Sequence, residues 1–106
     1  MEEIKVGDFV RSKSGVIGKV IGIHTIEKYK YHYISTFVCY ETEDITKHSP
    51  NIIDLIEVGD YVNGELVASV GDGRVEIGEG HTLSNEKIES VVTKEQFNSM
   101  KYIVKE

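Results

Sequence analysis

One cysteine, Cys39, stands among 106 residues, so no internal disulfide can form. That excludes a disulfide-stapled scaffold and fits a reducing cytoplasm, the expected location. No apolar run is long enough to span a bilayer and no signal peptide is readable, so no membrane partner is expected. The signatures of chemistry are missing too. There is no Gly-x-Ser-x-Gly and no glycine loop that would cradle a phosphate before a helix. His24, His32, His48 and His81 lie far apart, whereas zinc wants three or four N/S ligands at close spacing. No metal site and no cofactor are expected. Gly71-Asp72-Gly73 and Gly78-Glu79-Gly80 carry acids where a phosphate would need donors, so they read as hairpin turns. Glu41, Glu43 and Asp44 read as a solvated turn. The chain therefore reads as a non-enzyme with no catalytic residues.

What is present is a repeat. Ile4-Lys5-Val6-Gly7-Asp8-Phe9-Val10 returns as Ile56-Glu57-Val58-Gly59-Asp60-Tyr61-Val62. Gly takes φ > 0 freely and Asp bonds back to nearby backbone N–H groups, so Gly-Asp reads as a bend feeding a strand. With a side-chain period of two, Val10 and Val62 face one side. Phe9 with Arg11, and Tyr61 with Asn63, face the other. Each copy is followed by a short helical turn. Ser49 is expected to cap one before Pro50, and Thr93 with Gln96 fits a capping box on the other. The chain is thus read as two units, 1–55 and 56–106. A unit of that size buries too little surface to stand comfortably alone. The units are expected to pack together, or the chain to form a homo-oligomer.

Between the repeated ends the sequence is β-prone and punctuated by glycine. Residues 9–13 read as a strand and Val16–Ile26 as one long strand, with Gly18 and Gly22 marking a bend or bulge. Residues 29–40 are tyrosine-rich and extended, with the turn somewhere in 26–36 left open. A short strand is expected at 45–48. Asn63-Gly64 is the strongest hairpin signal. Further strands are expected at Arg74–Ile77, His81–Ser84, Ile88–Val92 and Tyr102–Val104, with a helix over Thr93–Met100. Short strands and glycine turns predict an all-β fold with short helices: two tandem small barrels or sandwiches.

Charge is uneven. Residues 1–40 carry a net +2 and residues 41–106 a net −8, for −6 overall. The whole should repel nucleic acid, while the first forty residues need not.

Val10-Arg11-Ser12-Lys13-Ser14-Gly15-Val16-Ile17-Gly18-Lys19-Val20-Ile21-Gly22-Ile23 resembles a KOW motif, matching at Val10, Gly15, Gly18, Val20 and Ile23. Such motifs occur in SH3-like barrels of ribosomal proteins and transcription elongation factors. The resemblance implies two tandem SH3-like units and, more distantly, nucleic-acid binding. The second unit, at Asn63–Val70, departs from the motif and lacks its basic residues. Residues 47–64 and 88–102 resemble a group of small uncharacterised proteins encoded by phages and prophages of Firmicutes. That resemblance implies a phage origin and a bacterial host, and it implies no known activity.

The candidate binding residues are Lys28, Tyr29, Lys30, Tyr31, His32 and Tyr33, an aromatic-basic run in which alternation puts the tyrosines on one face and Lys28, Lys30 and His32 on the other. Such a face suits base stacking or protein binding. Phe9 and Tyr61 are expected at the contact between units. The expected function is an accessory binding protein acting on a host macromolecule, most naturally a protein. One alternative is a KOW-like nucleic-acid module, although binding there is expected to be weak or absent. The other is counter-defence, by inhibiting a host immune protein or sequestering a small nucleotide.

Overall fold

The computed structural model of the chain describes residues 3–35 and 37–100. The strand expected over 102–104 lies outside the described residues. The fold is mostly β, and the chain divides into two compact units, Met1–Leu55 and Ile56–Glu106.

The two copies of the repeat take one local form. In the first, the Asp8 N–H donates to the Lys5 carbonyl at 3.0 Å, closing a turn in which Gly7 has φ 99°. In the second, the Asp60 N–H donates to the Glu57 carbonyl at 3.1 Å and Gly59 also has φ 99°. A type II turn requires φ > 0 at its third residue, which is why glycine stands there twice. Each aspartate then accepts from the first residue of its own turn: Lys5 N–H to Asp8 Oδ2 at 3.0 Å, Glu57 N–H to Asp60 Oδ2 at 2.8 Å. The next strand crosses each turn in the same way. Val20 N–H donates to the Asp8 carbonyl and Val67 N–H to the Asp60 carbonyl, both at 2.8 Å.

Unit 1 builds two three-stranded antiparallel sheets. One has the order β2-β1-β6, from β1 (Phe9–Ser12), β2 (Ile17–Lys19) and β6 (Ile45–Ser49). The other has the order β3-β4-β5, from β3 (Gly22–Ile26), β4 (Tyr29–Tyr33) and β5 (Cys39–Glu41). The single strand expected over Val16–Ile26 is two, broken at Val20-Ile21. Buried Val20 turns its N–H to Asp8 and Ile21 turns its N–H to the Tyr33 carbonyl, so the chain passes from one sheet to the other there. Gly18 permits the crossing. A Cβ at that position would lie 2.8 Å from Ile34 Cδ1.

β1 also departs from simple alternation. Val10 and Arg11 are both 1% exposed, because β1 is the central strand of its sheet. The Arg11 guanidinium donates from Nη1 to the Leu55 carbonyl at 2.9 Å, tying the first strand to the last residue of the unit. The apolar core is Val10, Val20, Ile53 and Leu55. The turn after Ser49 is a 3-10 turn over Ile52–Leu55, beginning later than Pro50. Ser49 still braces it, accepting from the Asn51 N–H at 3.1 Å and donating to Asp54 Oδ2 at 2.6 Å.

Unit 2 is one sheet of order β10-β9-β8-β7-β11, from β7 (Tyr61–Val62), β8 (Glu65–Gly71), β9 (Arg74–Ile77), β10 (His81–Leu83) and β11 (Val91–Val92). Asn63 (φ 52°) and Gly64 (φ 83°) make the tight β7–β8 turn, and Asp72-Gly73 makes the β8–β9 turn. β11 is shorter than the expected 88–92, because Asn63 takes up the segment before it. Its Oδ1 accepts from the Glu89 and Ser90 N–H groups, and its Nδ2 donates to the Lys87 carbonyl. The helix α1 (Lys94–Met100) opens with the expected capping box: Thr93 N–H to Gln96 Oε1 at 3.2 Å, and Gln96 N–H to Thr93 Oγ1 at 3.3 Å. Ile56, Val62, Val67, Val75 and Ile77 form the core. Among the described residues the strands of both units form open sheets, not closed barrels.

Candidate binding face

The β3–β4 hairpin turns at Glu27-Lys28, where Glu27 takes φ 58°. That places the turn which the sequence left open. β5 then pairs on the other side of β4, through Tyr31↔Glu41 and Tyr33↔Cys39. On β3 the partners of the tyrosines are Ile26, His24 and Gly22. Period two therefore gathers Tyr29, Tyr31 and Tyr33 on one face with His24, Ile26, Cys39 and Glu41. Tyr29 is 44% exposed and Ile26 52%, while Tyr31 and Tyr33 are half-buried.

The partition of the basic residues differs from the alternation rule at one end. Lys28 was expected opposite the tyrosines, yet its Nζ lies 5.6 Å from the centre of the Tyr29 ring. It sits in the turn, where strand alternation no longer governs direction, and an ammonium over a ring face is favourable. Lys30 does point away and pairs with Glu3 at 3.5 Å. His32 is 2% exposed, so it is no surface residue. Its Nδ1 lies 3.3 Å from the Tyr40 carbonyl oxygen.

The face is not basic. Glu41 lies beside Tyr31, and Tyr31 titrates above the usual tyrosine value, first through loss of solvation and then through the negative charge of Glu41. At the hairpin end a groove of about 320 Å³ is shared between the two faces, lined by Lys28, Tyr29, Glu41 and Glu43 together with Thr25 and Lys30 of the reverse face. Beyond the far end of β4, Phe37 is 95% exposed in the connection to β5. Sequence reasoning missed His24, Ile26, Cys39 and Glu41, because their place beside the tyrosines depends on cross-strand register. Glu27, one residue before the aromatic run and with φ > 0, is the signal for that register, and it is weak because glutamate rarely adopts such a φ.

Each of the other two singled-out aromatics has a partner in its own unit. The Tyr61 ring lies 5.0 Å from that of Phe97 at a 30° tilt, and Lys19 Nζ lies 5.8 Å from the Phe9 ring. Among the described residues no group of three or more His, Cys, Asp or Glu side chains could hold a metal ion. No helix among them is long and apolar enough to cross a membrane. In comparisons with known proteins, no family model, no curated protein and no solved structure matches the chain.

Proposed function

We propose that the chain is a non-catalytic binding protein, and that the tyrosine face of β3-β4-β5 docks onto a protein of a bacterial host. The observation that carries this reading is the clustering of Tyr29, Tyr31, Tyr33 and Ile26 on one accessible face. Tyrosine offers large contact area with few rotatable bonds and a hydroxyl at the rim, and protein interfaces are enriched in it at their energetic centres. Among the described residues both neighbours of β4 are edge strands, which leaves the face margins for a partner. The likeness of residues 47–64 and 88–102 to phage and prophage proteins supports an accessory role during infection or lysogeny. Both units are further read as SH3-like: the KOW-like spacing of Val10, Gly15, Gly18, Val20 and Ile23 supports this for unit 1, and the repeated Gly-Asp turn extends it to unit 2.

The test is retention of host proteins on immobilised wild type and on Tyr29→Ala/Tyr31→Ala. A defined host protein held by the wild type and lost by the double variant is the expected outcome. Equal retention by both, with both folded, would refute the assignment of the face.

A further inference from the structure

We propose that unit 1 also carries a small-molecule site, a cleft between its two sheets that takes an uncharged heterocyclic amide or amine of nucleobase to nucleoside size. It lies on the reverse of β4 from the tyrosine face and goes beyond the protein-binding reading. Period two puts Lys30 and His32 on one face of β4, and Thr46 and His48 on one face of β6. The fold brings both pairs to a cleft of about 430 Å³, where Ile4 and Ile45 add apolar wall and Thr42 a hydroxyl. That volume lies in the range of sites that enclose small organic ligands, roughly 300–1,000 Å³.

The chemistry of the ligand follows from the imidazole of His32. A carbonyl oxygen only accepts, so the contact between His32 Nδ1 and the Tyr40 carbonyl puts the proton on Nδ1. With the proton on Nδ1, Nε2 serves as the acceptor, and it has no protein partner among the described residues. The ring is almost wholly buried and lines the cleft, so a donor reaches that nitrogen from the cleft. His48 stands on the same cleft wall, its Nδ1 3.7 Å from Asp8 Oδ2. The His32 acceptor calls for an N–H or O–H donor on the ligand. The charged lining, Lys30 with Glu3, is balanced, so it favours an uncharged molecule. Ile4 and Ile45 suit the apolar faces of a ring whose edge carries the donors.

The experiment uses the full-length chain, ¹⁵N-labelled, titrated separately with uracil, adenine and adenosine to millimolar concentration. Ring ¹⁵N shifts of the free protein should show His32 protonated at Nδ1 and bare at Nε2. At least one probe should then shift that Nε2 and the amides of Lys30, Ile45 and His48 saturably, leaving unit 2 unchanged. His32→Phe keeps a ring and removes the acceptor, and should weaken binding about tenfold or more, the loss of one good hydrogen bond. Thr42→Trp fills the cleft from an exposed position, and should abolish the shifts even if His32→Phe fails to fold. A proton on His32 Nε2, the absence of saturable shifts with all three probes, or shifts that survive Thr42→Trp would each overturn the proposal. The tyrosine face is read by different variants, so either site can fail without the other.

Discussion

Asp8 and Asp60 hold the same turn in different surroundings, and that difference sets their weight. Asp60 is fully buried. Its Oδ2 takes the Glu57 N–H at 2.8 Å and its Oδ1 takes the Lys94 N–H at 2.9 Å. Asp8 takes the Lys5 N–H, and its other neighbour is His48 at 3.7 Å. Removing a carboxylate leaves each buried donor unmatched, at about 1–3 kcal/mol apiece. Asp60→Ala should therefore cost about 2–4 kcal/mol in denaturant unfolding and Asp8→Ala about 1–2 kcal/mol. Tyr31 offers a second test at this scale. Its value lies above the ordinary 10.0 because of lost solvation and then Glu41. The folded state thus holds this proton more tightly than the unfolded chain does. The associated stability is full below pH 10.0 and is lost as pH rises through the raised value. In a titration followed by tyrosinate absorbance or NMR, Tyr31 should ionise above the ordinary value, and Glu41→Gln should bring it down.

At the scale of elements, the hairpin turns decide more than their length implies. Asn63 closes the β7–β8 turn at φ 52° and also collects the 87–90 segment through three side-chain hydrogen bonds. Asn63→Gly keeps the backbone conformation and removes only those bonds. The variant should lose about 1–3 kcal/mol, and the Glu89 and Ser90 amides should exchange faster while those of β8 and β9 stay protected. Unchanged exchange at Glu89 and Ser90 would show that the segment is held by other contacts. The capping box of α1 was legible because both partners lie within four residues of each other. The passage of the chain from β2 to β3 was not, because it depends on Val20 reaching Asp8 and Ile21 reaching Tyr33.

For the whole molecule, charge argues against nucleic acid. The net +2 of residues 1–40 does not survive as a property of the folded unit. Unit 1 runs on to Leu55 and holds seven Lys/Arg against eight acids, net −1. Nucleic-acid affinity rests largely on phosphate neutralisation and falls steeply with salt. Of the candidate basic residues, Lys28 lies over Tyr29, Lys30 pairs with Glu3 on the reverse face, and Glu41 shares the tyrosine face. Fluorescence anisotropy with mixed-sequence DNA and RNA should show only very weak binding at physiological salt. Submicromolar, salt-sensitive affinity lost in Lys28→Ala/Lys30→Ala would reverse that reading.

Local rules were enough for the repeated Gly-Asp turn, the Asn63-Gly64 and Asp72-Gly73 hairpins, the Thr93–Gln96 cap and the tyrosine alternation, because each depends on residues a few positions apart. They also sufficed for the mostly β character, through the density of β-prone runs between glycine turns. Tertiary structure alone decided which strands pair, and so which residues join the tyrosines. It buried Arg11 against the Leu55 carbonyl, hid His32 behind β4, and left the sheets open. These outcomes turn on contacts between residues far apart in the chain. Side-chain periodicity sets the face a residue takes within its own strand, but cross-strand register and the packing of one sheet against another decide what that face meets.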